Sequence, residues 1–191
     1  MPMLPPVVNI GRNDECSEYI FDPLLLSEDV VGEVPKGYVV RPLMVQDYEN
    51  GLVEKLIKYY CFFSIVSTCS SLSLYRFKIM RETIPQSYYV VVVEDSSNHR
   101  VVGTATLVIE WKFIHHAGCR GRVEDLVVDE SARGKKMGFM LNRILVTLAK
   151  QVGVYKLSLE CKDSLIPFYE RHGYKKDSRN HFLVQRFDSN L

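Results

Sequence analysis

The run Val123-Glu124-Asp125-Leu126-Val127-Val128 is followed, four residues later, by Arg133-Gly134-Lys135-Lys136-Met137-Gly138. The first reads as a strand ending in β-branched residues. The second opens the best-patterned helix in the chain: Met137, Met140, Leu141, Ile144, Leu145, Leu148, Ala149 and Val152 keep to one apolar stripe, and Gly153 is placed to stop it. A strand that runs through a basic, glycine-bearing turn into a helix can hold an anion. The first backbone N–H groups of a helix lack partners and carry partial positive charge. Gly134 and Gly138 permit close approach, and Arg133, Lys135 and Lys136 add charge. A solvated basic cap on an ordinary helix would contain the same residues. The G-x-x-x-x-G-K-[ST] and G-x-G-x-x-G phosphate patterns are absent.

Outward from this segment, Tyr38 to Leu43 reads as a strand ended by Pro42, and Asp47 stands as a cap ahead of Leu52, Val53, Leu56, Ile57 and Tyr60 at helical spacing. A second helix is expected over Leu72 to Glu82. Tyr88 to Val93 and Val101 to Trp111 are strands joined by the turn cluster Asp95-Ser96-Ser97-Asn98, hence a hairpin. Tyr155 to Cys161 alternates as a strand, with Leu157, Leu159 and Cys161 on one face. Leu165 to His172 is a short helix closed by Gly173, and Phe182 to Phe187 a final strand. The order is β-α-α-β-β-β-α-β-α-β, an α/β (α+β) chain with mixed pairing. Residues 1–36, with five prolines, read as a flexible tail in which Asp22 caps one docking turn starting at Pro23. Residues 37–191 read as a single domain.

The chain has 191 residues, 47% apolar and 25% charged, enough for a substantial core and too apolar for disorder. Its 24 Lys and Arg against 23 Asp and Glu argue against nucleic-acid binding driven by phosphate neutralisation. Five scattered cysteines without a CxxC pair suit a reducing compartment, each as a small buried hydrophobe, and make poor material for a disulfide framework or zinc site. MPMLPPVVNI lacks the basic start of a secretory signal. The uncharged stretch from Tyr59 to Tyr75 is shorter than a membrane span and carries Ser64, Ser67, Thr68, Ser70, Ser71 and Ser73. A cytoplasmic protein without membrane insertion is expected.

Residues 123–138 resemble the acetyl-CoA motif of the GNAT acyltransferases, Q/R-x-x-G-x-G/A after the fourth strand. Four blocks in order resemble the glucosamine 6-phosphate N-acetyltransferase family within that superfamily. They are Tyr88 to Asp95, Lys112-Phe113-Ile114-His115, Arg120 to Asp125, and Leu159-Glu160-Cys161 with Phe168-Tyr169. The similarity covers roughly residues 38–187. It implies a GNAT fold: a mixed, twisted central sheet of six to seven strands, about four flanking helices, and a β-bulge at Glu124–Leu126. Adjacent carboxylates on a regular strand point to opposite faces, so Glu124 and Asp125 serve one site only if a bulge re-aims the strand or one acts through its backbone. The alternative is one of them paired at the surface with Arg120 or Arg122.

The implied reaction takes acetyl from acetyl-CoA to the 2-amino group of D-glucosamine 6-phosphate, giving N-acetyl-D-glucosamine 6-phosphate and CoA for UDP-N-acetylglucosamine biosynthesis. By resemblance, acetyl-CoA lies on Val127, Val128, Arg133, Gly134, Lys135, Lys136, Met137, Gly138 and Phe139, with Tyr169, Glu170 and Arg171 from the later helix. The amino sugar meets Lys112, Phe113, Ile114, His115, Glu124, Asp125, Leu126, Tyr155 and Lys156. Asp125, Glu160 and Tyr169 are the implied catalytic groups: Glu160 orients the amino sugar and Tyr169 supports the departing sulfur. An intertwined homodimer would bring Arg186 to the neighbouring sugar site. No metal is required, and His115-His116 without a carboxylate framework is a weak ligand pattern.

The chain departs from the motif in two places. Lys136 stands at the first motif glycine, where a positive φ would strain it modestly. The segment Tyr60 to Ser67 is longer and more apolar than the family's sugar-phosphate border, so Ser64, Ser67 or Thr68 replaces the usual threonine or the pocket has changed. A GNAT enzyme for another small amine and a non-catalytic acetyl-CoA-binding paralogue remain as alternatives. Lys112, Arg120, Arg122 and Arg186 favour an anionic acceptor over a polyamine.

Overall fold

The computed structural model describes residues 18–52, 70–178, 180–185 and 187. They belong to two compact units, Met1–Glu160 and Cys161–Leu191. The first unit holds a sheet of five strands among the described residues: β1 (Tyr38–Pro42), β2 (Tyr88–Asp95), β3 (Arg100–Trp111), β4 (Cys119–Val128) and β5 (Lys156–Ser158), lying side by side in that order. The first four are antiparallel and β5 joins β4 in parallel.

The hairpin between β2 and β3 closes because Asp95 Oδ1 accepts from Ser97 N at 2.9 Å, while His99 takes a positive φ of 57°. Val91, Val92 and Val93 are fully buried in succession, so β2 is covered on both faces. In contrast, β4 alternates: Cys119, Gly121 and Val123 are buried, and Arg120, Arg122 and Glu124 take the other face. Helix α3 (Met137–Val152) packs on β3 and β4 through the expected stripe, with Leu141, Ile144 and Leu145 fully buried. Gly153 ends it in the left-handed region, where its N–H bonds Ala149 O and Lys150 O. Helix α2 (Ser70–Arg81) stands where Leu72 to Glu82 was expected.

The N-terminal region docks more extensively than one turn. Asp22 caps a 3₁₀ turn at Pro23–Leu25, accepting from Leu24 N at 2.9 Å, and Phe21 is buried with its ring 5.2 Å from that of Tyr89. A further turn, α1 (Glu28–Val31), buries Val30 and Val31, and its carbonyls accept from the Arg143 guanidinium of α3. Prolines suggested a loose tail, but within residues 18–36 the apolar islands around Ile20–Phe21 and Val30–Val31 are buried, and such burial is what offsets the entropy of ordering a chain.

Other expectations change too. Strand β5 is three residues long, not seven, and pairs only Arg120–Arg122. Among the described residues the final strand does not form: residues 182–185 and 187 have no regular structure, and Phe182, Leu183, Val184 and Phe187 are exposed. Strand composition does not suffice without a neighbouring ladder, and residues 161–191 contain no described strand to supply one. Cys119 is buried as expected, but Cys161 is exposed. Cys16, Cys61, Cys69, most of the first expected helix, the altered 60–67 segment and Arg186 lie outside the described residues. Asp47 caps a 3₁₀ turn at Val45–Tyr48, accepting from Met44 N at 2.7 Å. No helix among the described residues is long and apolar enough to cross a membrane.

Candidate active site

The expected bulge is present. Thr106 pairs with Glu124 and Thr104 with Val127, so Ala105 on β3 faces both Asp125 and Leu126 on β4. Asp125 absorbs the extra residue in the left-handed region, φ 52°, which aspartate tolerates better than most side chains. Its carboxyl is partly buried, and burial, then the neighbouring Glu124 charge, push its pKa above the ordinary aspartate range. The β4–β5 ladder stops at Arg122, so from Val123 onward that edge of β4 is not paired to β5.

Four residues past β4 the chain enters the basic turn. Gly134 has φ 81°, and Lys136 sits at φ 58°, ψ 20° directly before α3. The motif position filled by Lys136 therefore does demand the left-handed conformation, at a cost of about 1 kcal/mol for a side chain other than glycine. Lys135 donates to Tyr38 Oη and lies 4.8 Å over its ring, while Arg133 reaches Glu130 at 3.9 Å. A shallow cavity of about 390 Å³ adjoins the turn, bounded by Gly32–Pro35, Lys135, Lys136, Phe139, Met140 and Arg143. Two positive φ values at the head of a 16-residue helix, with three cationic side chains, fit a pyrophosphate group.

On the polar face of the sheet, Glu110 accepts from Arg120 Nη2 at 2.9 Å and from Lys112 Nζ at 2.6 Å. Hydrogen bonds from Arg120 and then Lys112 hold its pKa at about 2. Farther along β4, Arg122 donates to Glu160 through Nη2 and is ion-paired with Glu124 at Nε. The surface pairing anticipated for one of the adjacent carboxylates is thus found for Glu124 with Arg122, which holds Glu160 as well. His115, His116 and Ala117 form a left-handed turn after Phe113, and the His115 ring stacks on Tyr155 at 4.2 Å. Phe113 and Ile114 are exposed there, with Lys156 opposite Arg120 in the β4–β5 register. Among the described residues, four of the six non-glycine residues at positive φ, His115, His116, Asp125 and Lys136, lie in segments singled out from sequence, where backbone strain marks candidate function.

In the second unit, Asp163–Leu165 leads into α4 (Ile166–Glu170), which also carries Tyr169 and precedes Arg171. Tyr169 is buried, edge-on to Phe168 at 4.9 Å and to Tyr174 at 5.7 Å. Burial, then the Cys161 thiol, raise its phenol above the ordinary value. Among the described residues no three His, Cys, Asp or Glu gather to hold a metal ion. Sequence reading missed Glu110 as the partner of two cations and Arg122 as the bridge between carboxylates. The signal was the spacing Arg120, Arg122, Glu124, which alternation places on one face.

Comparison with known proteins follows the same outline. A model of the acetyltransferase (GNAT) family matches residues 54–174. The probable glucosamine 6-phosphate N-acetyltransferase of Drosophila melanogaster is 42% identical over 135 residues, covering 71% of this chain and 59% of the fly protein. The glucosamine 6-phosphate N-acetyltransferase of Candida albicans is 33% identical over 145 residues, 74% of this chain and 92% of its own length. The crystal structure of glucosamine-6-phosphate N-acetyltransferase from Arabidopsis thaliana superposes with a TM-score of 0.71 at 27% identity, covering 79% of this chain and 99% of the plant chain.

Proposed function

The chain belongs to the acetyltransferase (GNAT) family, and from that premise we propose that it acetylates the 2-amino group of glucosamine 6-phosphate with acetyl-CoA. The products would be N-acetylglucosamine 6-phosphate and CoA, a step toward UDP-N-acetylglucosamine. The observation that carries this reading is the succession along the chain of the Asp125–Leu126 bulge, the stretch of β4 beyond its pairing with β5 and the left-handed turn at Lys136. The names of the fly and yeast relatives support the acceptor, as does the Lys112–Glu110–Arg120 cluster, whose net positive charge suits a phosphate.

When bound, acetyl-CoA supplies an activated thioester carbonyl. Gly134 and Lys136 turn the chain so that N–H groups at the head of α3 meet the pyrophosphate, with Arg133 and Lys135 adding charge. Backbone N–H groups along Leu126 to Val128 would be the donors for the carbonyl oxygen, supplying hydrogen bonds to the negative charge that develops there. Asp125, with its pKa raised, is the group suited to accept the proton the amine releases. Tyr169 has the opposite task. A phenol held above its ordinary pKa of about 10 keeps its proton near neutral pH, so it would steady the sulfur by donating a hydrogen bond. The proton that finally neutralises the thiolate comes from the amine, which keeps the reaction balanced. A cytoplasmic homodimer completes the reading: the exposed Phe182, Leu183, Val184 and Phe187 would pair with the partner subunit and carry Arg186 to its sugar.

A thiol-release assay with acetyl-CoA and glucosamine 6-phosphate, glucosamine, glucose 6-phosphate or spermidine tests the proposal. Turnover with glucosamine 6-phosphate alone is expected. Turnover only with spermidine would make this an enzyme for another amine. Silence on all four, with acetyl-CoA binding intact by calorimetry, would leave a binding protein without this activity.

A further inference from the structure

Glu160 lies two residues beyond Ser158, the last residue of the β4–β5 ladder, so no strand pairing fixes its place. What holds its side chain is Arg122. That guanidinium donates to Glu160 through Nη2, and its Nε is ion-paired with Glu124 on the same face of β4. Arg120, two residues back on that face, is taken by Glu110, Lys156 stands opposite Arg120 in register, and Asp125 follows at the bulge. Arg122, Glu124 and Glu160 together carry a net charge of −1, between the strand end and the Asp125 bulge.

Ion pairs exposed by a third or more contribute little to folding, so stability does not explain why two carboxylates share one cation here. Recognition does. A planar guanidinium can hold two carboxylates at fixed angles and leave each with lone pairs for another donor. An amino sugar brings such donors, an ammonium and hydroxyls, to a site with one unbalanced negative charge.

We infer that Arg122 is a positioning residue that sets Glu124 and Glu160 as paired acceptors for the amino-sugar substrate. This rests on glucosamine 6-phosphate being the acceptor. The test is steady-state kinetics of wild type, Arg122→Met and Arg122→Lys with glucosamine 6-phosphate, together with calorimetric acetyl-CoA affinity for each. Arg122→Met should raise the sugar KM by roughly tenfold or more while acetyl-CoA affinity stays within about twofold and kcat within about threefold. Lysine, a point charge without a fork, should restore only part of the loss. If Arg122→Met does not fold, Arg122→Gln reads the same quantities. An unchanged sugar KM, a parallel loss of acetyl-CoA affinity, or full rescue by lysine would overturn the inference alone. A wild type that does not turn over glucosamine 6-phosphate would overturn the functional reading, and this inference with it.

Discussion

Two arginines in this molecule each hold a pair of carboxylates. Arg41 on β1 forks Asp47 at 2.7 and 2.8 Å and reaches Glu94 at 2.7 Å, and these side chains are 13%, 1% and 14% exposed. Arg122 holds Glu124 and Glu160 with its own side chain 33% exposed and both carboxylates 40% exposed. The chemistry is the same and the solvation is not. Around Arg41, burial works against the guanidinium charge, but the hydrogen bonds and charges of Asp47 and Glu94 outweigh it and raise the pKa. Every acceptor there is committed: Asp47 also caps Met44, and Glu94 also receives His99 at 2.7 Å. Around Arg122 the carboxylates stay open to solvent and therefore to a ligand. A satisfied, buried cluster maintains the fold, whereas a half-exposed one can recognise a ligand.

The largest effect expected from this contrast is on stability. Arg41→Met leaves the Asp47 carboxylate buried without its cation and should cost about 3–5 kcal/mol, whereas Arg122→Met should cost no more than about 1 kcal/mol. Urea denaturation measures both, and equal losses would erase the distinction. The same divide separates two buried tyrosines. Burial pushes the Tyr89 phenol up to about 12, in a packing role against Phe21. Tyr169→Phe should lower kcat roughly 10–100-fold, the worth of a hydrogen bond to a charged group, with acetyl-CoA affinity unchanged. Tyr89→Phe should leave turnover alone.

Smaller effects sharpen the picture. Lys136→Gly relieves the left-handed strain and should stabilise the fold by about 0.5–1 kcal/mol while weakening acetyl-CoA binding, because a cation is lost beside the pyrophosphate. Improved binding would show that strain outweighs charge. Glu110 has its pKa lowered, so the stability from its bonds to Arg120 and Lys112 is present above the ordinary value of 4.5 and is lost as pH falls toward 2. Glu110→Gln should therefore flatten the acid side of the stability curve. Last, Glu124→Gln removes a charge that raises the Asp125 pKa, so the acidic limb of kcat/KM should move to lower pH. A limb that stays put would separate Asp125 from the proton transfer.

Much of this was readable in the chain. The apolar stripe of α3, its glycine stop, the β2–β3 hairpin, the Asp22-capped turn and the left-handed demand at Lys136 all depend on residues within a few positions of one another. The bulge at Glu124–Leu126 was anticipated from the resemblance to the GNAT family, and Asp125 supplied it. The shortened β5 and the missing strand at 182–185 were not readable, since a strand exists only where another ladder accepts it. Nor was the exposure of Cys161, whose alternation with Leu157 and Leu159 predicted the covered face.

The amino-acid sequence by itself determined the elements whose stabilising partners lie one turn or one hairpin away, and the order of the blocks that marks this family. Only the tertiary structure decided how the charges are shared. It assigned Asp47 and Glu94 to Arg41, Lys112 and Arg120 to Glu110, and Glu124 and Glu160 to Arg122. The reason is physical. Periodicity states which face a side chain takes, but an ion pair forms across strands, and its worth depends on how much water the surrounding packing leaves.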